Sequence, residues 1–265
     1  MKKAALFFAL LCLATQVSAS YISLKTTVAA KVDVNTLKVF VSVVNKGDEA
    51  AYNVQAEIRV VDRKILADKT QELGVNQGYK AYYSFPLQLK QPGQYPLVVI
   101  MHYADANQYP FSALTAQTFN SRAQDVPAEA FGKMQAEPFW KKGKIYLSLK
   151  NLGSEDLAVT THLVVPGELS AGESAVRLDL KKKSTSETGF SLENFSALAG
   201  STYQIFAVSE FTKDNLHYTV ITPGTVRIVE IKTILGLEYR YILLILALLI
   251  FLFVVYQLGF SFLKK

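Results

Sequence analysis

The chain has 265 residues, a formal net charge of +6 and a single cysteine, and half of its residues are hydrophobic. Lys2, Lys3, Lys264 and Lys265 supply four of those charges, so the stretch between them carries only 6 − 4 = +2 and gives no reason to expect nucleic acid. Cys12 falls in a segment expected to be removed, which excludes disulfides and a thiolate metal site from the mature chain and points towards a bacterial source.

Met1 to Lys3 is a short positive stretch, Ala4 to Ala14 an apolar run too short to cross a bilayer, and Val17, Ser18 and Ala19 supply small residues at a cleavage point. This is the pattern of a signal peptide over 1–19. An internal repeat follows, displaced by about 106 residues. The stretch Val39 to Glu49 falls on Ile145 to Glu155, with Ser42, Asn45, Gly47 and Glu49 matching Ser148, Asn151, Gly153 and Glu155. Further on, Val54, Ala56, Ile58 and Val60 fall on Val159, Thr161, Leu163 and Val165, and Gly93 and Tyr95 on Gly200 and Tyr203.

Each matched block alternates with period two, as a half-buried strand must. Val39, Val41 and Val43 share one face with Phe40 and Ser42 opposite; Ile145, Leu147 and Leu149 repeat the pattern with Tyr146 and Ser148 opposite. Asn45 to Gly47 and Asn151 to Gly153 are turn residues, expected here to tolerate positive φ. The run Leu89 to Tyr95 suggests the tyrosine corner that opens a late strand. Regular strands without a long amphipathic helix predict an all-β protein of two tandem Ig-like antiparallel β-sandwiches. The first is expected over 21–122 and the second over 130–231, with 123–139 as linker and lead-in.

Asn-x-Gly followed by an alternating strand and a Gly-x-Tyr corner resembles the CARDB-type family of Ig-like domains. The resemblance covers both repeats. It implies tandem modules of bacterial or archaeal surface proteins with adhesion, spacing or assembly roles, and no catalytic residues or ligand to carry over.

From Tyr241 to Phe262 the clearly polar residues are Gln257 and Ser261. As a helix, 241–262 would rise about 33 Å at 1.5 Å per residue, against a hydrocarbon core of about 30 Å. A single transmembrane helix is therefore expected there, with Tyr239, Tyr241 and Tyr256 at the membrane interface and 263–265 as a cytoplasmic tail. That predicts a single-pass protein of the bacterial inner membrane with its two modules on the periplasmic side, contacting lipid through the one helix.

Chemistry is sparse. His102, His162 and His217 have no second metal-ligating residue at ligand spacing, and there is no nucleophile elbow, zinc-protease motif or phosphate loop. No cofactor or metal is expected. Asp48, Glu49, Glu155 and Asp156 are acidic residues that solvate matched turns, and Lys181 to Lys183 read as a protected hairpin or edge. The informative groups are aromatic: Tyr79, Tyr82, Tyr83 and Phe85 crowd one strand, while Phe40 and Tyr146 occupy matched outward positions. Phe40, Tyr146, Tyr79, Tyr82 and Tyr83 are the candidate interaction surface. The expected function is that of a non-enzymatic envelope protein that binds another envelope or membrane protein, as an accessory or scaffold subunit of a transport, secretion or surface assembly. The alternative is a periplasmic chaperone-like or glycan-binding module.

Overall fold

Period-two alternation sorts the side chains of each repeat between two sheets, and the hydrophobic faces of those sheets close on each other. The computed structural model describes residues 21–262 apart from 62, 125, 126, 174, 231, 232, 235 and 236, with side chains over 21–230 and 241–256. The signal peptide expected over 1–19 and the tail over 263–265 lie outside the described residues.

The first repeat contains β1 (Leu24–Asp33), β2 (Thr36–Asn45), β3 (Ala51–Val60), β4 (Arg63–Leu66), β5 (Thr70–Leu73), β6 (Gly78–Pro86), β7 (Gly93–Ala104) and β8 (Pro110–Ser121). Its smaller sheet has the order β1-β2-β6, and β3 carries β4, β5 and β7, with β8 outside β7. The second repeat contains β9 (Ala130–Ala136), β10 (Lys142–Asn151), β11 (Leu157–Val164), β12 (Leu169–Ala171), β13 (Val176–Leu180), β14 (Thr185–Asn194), β15 (Thr202–Lys213) and β16 (Leu216–Arg227). Its sheets run β12-β14-β10-β9 and β13-β11-β15-β16. β9 thus falls within the stretch read as linker and pairs along β10 from Ala136↔Ile145 to Ala130↔Asn151.

Each repeat has its own core. Leu37, Val39, Val41 and Val43 of β2 meet Val54, Ala56, Ile58, Leu97, Val99 and Met101 in the first. Ile145, Leu147, Leu149, Val159, Phe190, Leu192, Ile205 and Ala207 build the second. Fully burying a side chain of this size contributes roughly 1.5–3 kcal/mol relative to exposure.

A fully buried asparagine anchors the same turn in both repeats, by a mechanism different from the expected one. The Asn45 side chain accepts from Gly47 N (3.0 Å) and donates to the carbonyls of Glu49 (2.7 Å) and Leu73 (3.1 Å). Asn151 repeats this with Gly153 N (2.9 Å), Glu155 O (2.7 Å) and Leu180 O (3.3 Å). Positive φ is not what these turns need, since none of Asn45, Gly47, Asn151 and Gly153 adopts it. Gly47 is small because the chain entering β1 passes against it: a Cβ there would lie 2.2 Å from the Tyr21 carbonyl oxygen.

The repeats are docked to each other through the outer faces of their larger sheets. Val98 and Ile100 of β7 and Leu114 of β8 bury against Phe206 of β15, with Val164 and Ile221 alongside. Polar contacts fix the register. Glu168, 2% exposed, accepts from Ser112 N (2.7 Å) and Ser112 Oγ (2.5 Å). A parallel bridge joins Gly93 to His217, whose backbone N–H donates to the Pro92 carbonyl (2.9 Å). Gly93 has φ +145°, and a Cβ there would lie 2.1 Å from the His217 carbonyl oxygen, so this crossing requires glycine. The Tyr95 ring stacks on His217 at 4.1 Å, and its hydroxyl turns back to the Gln91 carbonyl (2.8 Å).

The membrane anchor expected over 241–262 is corrected by the structure. Helix α1 runs Tyr239–Phe262, but among the described residues no helix is long and apolar enough to cross a membrane. The single-pass inner-membrane location, with periplasmic modules and a cytoplasmic C-terminus, is therefore unsupported. Of the tyrosines expected at the membrane interface, Tyr241 and Tyr256 are exposed on α1, and the Tyr239 side chain lies outside the described ones.

Phe206→Ala is expected to lower unfolding stability by about 3–5 kcal/mol, the usual result of emptying a buried aromatic site. The exposed Phe195→Ala should change it by less than about 0.5 kcal/mol; urea denaturation of both variants reads the difference. In the same assay Asn45→Ala should cost about 2–3 kcal/mol, because it strands Gly47 N and two buried carbonyls together.

Candidate interaction surface

With the larger sheets occupied by each other, the outward faces of the two smaller sheets remain. On the first, the register places Ala29, Phe40 and Tyr82 in one row across β1, β2 and β6. The Phe40 and Tyr82 rings pack at 4.6 Å with a 32° tilt, and Tyr82 is 72% exposed. The next row towards the β1–β2 turn holds Lys31, Lys38 and Ser84, and the next row the other way holds Thr27, Ser42 and Lys80. The result is an aromatic strip between two lysine-bearing rows, lining an open groove of about 460 Å³.

Lys31 and Lys38 stand directly opposite each other, an arrangement that repels. Asp33 relieves it in part by accepting from Lys38 Nζ (2.8 Å), a bond that, with the charges of both lysines, holds the Asp33 carboxyl below its ordinary value. Lys31 and Lys80 make no ion pair among the described residues.

On the second module, Tyr146 sits in the matching row with Gln135 and Gly189 and is half exposed. Its ring lies over Gly189, where it covers backbone that a side chain would otherwise shield. No second ring joins it in that row, and the neighbouring Lys142 is paired with Glu193 at 2.6 Å. The stronger platform is therefore on the first module.

Tyr79 is removed from the interaction surface. It is 6% exposed, packs in the first core, and its hydroxyl donates to the Asp68 carbonyl (2.9 Å). Tyr83 faces the same way and packs half-buried against that core, so it borders the groove without joining the outward row. The alternation of β6 is the cause: 79, 81, 83 and 85 turn inwards while 80, 82 and 84 turn outwards. The matched acidic turns have structural partners, with Asp48 accepting from Tyr21 N (2.6 Å) and Asp156 from Lys181 Nζ (2.9 Å).

Glu57 is a cluster that sequence reasoning did not single out. On the outer side of β3, its buried side chain meets Arg59 Nε (2.5 Å), Lys64 Nζ (3.0 Å) and His102 Nε2 (2.9 Å). Burial pushes its carboxyl up, but hydrogen bonds from Lys64, Arg59 and His102 outweigh that and hold it down at about 2. Both oxygens are engaged and ionised, so the group is a structural hub and not a proton acceptor. Arg59 lies two residues along β3, while Lys64 and His102 come from the adjacent β4 and β7, so the sequence shows only the Glu57/Arg59 pair on one face of the strand. Among the described residues no group of three or more metal-ligating side chains occurs.

No family model and no curated protein matches the chain. Solved structures similar to it include red sea bream transglutaminase, 12% identical, with a TM-score of 0.29 over 80% of this chain and 32% of that one. Native α-2-macroglobulin of Escherichia coli is 11% identical, with a TM-score of 0.29 over 78% of this chain and 17% of that one. A Porphyromonas gingivalis W83 protein of unknown function is 11% identical, with a TM-score of 0.27 over 77% of this chain and 99% of that one. The chain thus spans a third or less of the transglutaminase and the macroglobulin. Likeness at these scores carries no activity or partner across, and the CARDB-type resemblance has no family match behind it.

The Glu57 carboxyl lies below its ordinary value of 4.5, so its stabilising charge is complete above that pH and is lost as pH falls towards 2. The urea midpoint of the protein should drop over that interval, and Glu57→Gln should flatten the drop while lowering stability at neutral pH.

Proposed function

We propose that the chain is a non-enzymatic binding protein whose two modules are Ig-like β-sandwiches of the CARDB type, serving as an accessory or scaffold subunit of a larger assembly. The outward β1-β2-β6 face, centred on Phe40 and Tyr82, is its contact surface for another protein. The observation that carries this reading is the exposed Tyr82 ring, packed on Phe40 and flanked by lysine rows. Tyr is among the residues that dominate binding energy at protein interfaces.

Strand order supports the Ig-like label. In each module a first, second and sixth-type strand share one sheet, while the strands on either side of the late hairpin share the other, as in Ig folds. The docking of the larger sheets supports the choice of face, since it withdraws their outer surfaces from any partner. The apolar cluster buried between the modules also supports a spacer or scaffold role over that of two independent beads.

A photo-crosslinking amino acid at position 82, introduced into the full chain in cells that make it, should yield one defined adduct with another protein. The adduct should fade when Lys31 and Lys38 are both changed to Glu. Crosslinking at position 195 but not at 82 would move the contact off this face and defeat the proposal.

A further inference from the structure

The two modules differ at one edge. In the second, β12 lies along the outer edge of β14, pairing Leu169↔Asn194 and Ala171↔Leu192 and placing Leu169 in the core. In the first, the chain at the corresponding place, Arg63–Leu66, turns onto β3 instead. Among the described residues β6 therefore pairs with β2 alone, and its other edge is open. An open edge is a row of backbone donors and acceptors ready to accept another strand.

That open edge borders the aromatic and lysine rows. Alternate residues along a strand lie about 6.7 Å apart, so the Lys31/Lys38 row, the Phe40/Tyr82 row and the Lys80 row repeat at that interval. A strand added to β6 presents its own alternate side chains at the same interval. Its best complement has an acidic residue, an apolar or aromatic residue and a second acidic residue at every other position. The central side chain then covers Tyr82, and the flanking carboxylates meet the two lysine-bearing rows. On β6 itself Lys80 faces one carboxylate directly, and Lys38, one strand further in, reaches the other across the small Ser84 side chain. Pro86, at the far end of β6, has no N–H and limits the added strand to the stretch before it.

We propose that β6 accepts an extended acidic segment of a partner protein by strand addition, with the acid–x–apolar–x–acid pattern read by Lys38, Tyr82 and Lys80. This rests on the assignment of the β1-β2-β6 face as the contact surface and names what that contact recognises.

The test uses the full chain and a short capped peptide in which threonine alternates with glutamate, phenylalanine and glutamate, titrated at low ionic strength. Tyr82→Ala and the double change Lys31→Glu with Lys38→Glu are each expected to weaken binding about tenfold or more. The peptide with lysine in place of glutamate should not bind. Two N-methylated forms probe the backbone: one methylated on the threonine amides, the other on the glutamate and phenylalanine amides. Only every second amide of an added strand faces β6, so one form should lose binding and the other keep it. Equal behaviour of the two forms, indifference to Tyr82→Ala, or preference for an acidic oligosaccharide over the peptide overturns the inference. A crosslinked partner at position 82 without any peptide binding also overturns it while leaving the proposed function standing; absence of both removes both. Circular dichroism of the variants confirms that each is folded, and the N-methylated arms leave the protein unchanged.

Discussion

Val98, Ile100 and Leu114 on one module press against Phe206, Val164 and Ile221 on the other, and most of the molecule is arranged around that seam. It explains why β7 and β15 are apolar on both faces: Leu97, Val99 and Met101 serve the first core while Val98 and Ile100 serve the junction, and Ile205 and Ala207 divide from Phe206 in the same way. An apolar seam is not directional, so polar contacts set its alignment. The buried Glu168 carboxylate held by Ser112 and the glycine crossing beneath His217 each permit one register. The seam also decides what remains for a partner, since it consumes the larger sheets and leaves the smaller ones facing solvent.

The repeat and its strands were legible because alternation is a local property. Val39, Val41 and Val43 declare an inner face whatever the rest of the chain does, and the matched Asn45 and Asn151 mark where each strand ends. The seam was written in the sequence too, as the unbroken run Leu97 to Met101, which is what a strand buried on both sides requires. The run does not say which surface covers the second side, and that depends on packing between residues more than 100 apart, such as Ile100 and Phe206.

The corrections share a cause. Asn45 was expected to serve the backbone through its tolerance of positive φ, whereas it serves as a hydrogen-bonding clamp whose third partner, Leu73, lies 28 residues away. Tyr79 and Tyr82 are three residues apart on one strand, and only the pairing of β6 with β2 tells which parity faces the core. Glu57 reads as one more outward polar residue between Gln55 and Arg59, and two of its three partners are on neighbouring strands. In each case composition names the residue, and long-range register assigns its role.

The docking seam has a temporal side. Val98, Ile100 and Leu114 leave the ribosome well before Phe206 and Ile221, so the first module completes its own core with a greasy flank still bare. Until the second half of the nascent chain arrives, that flank is open to neighbouring polypeptides, the condition under which multidomain proteins misassemble. Co-translational order thus makes the leading half dependent on the trailing half, and a ribosome stalled between the repeats would release a fragment that is folded yet adhesive.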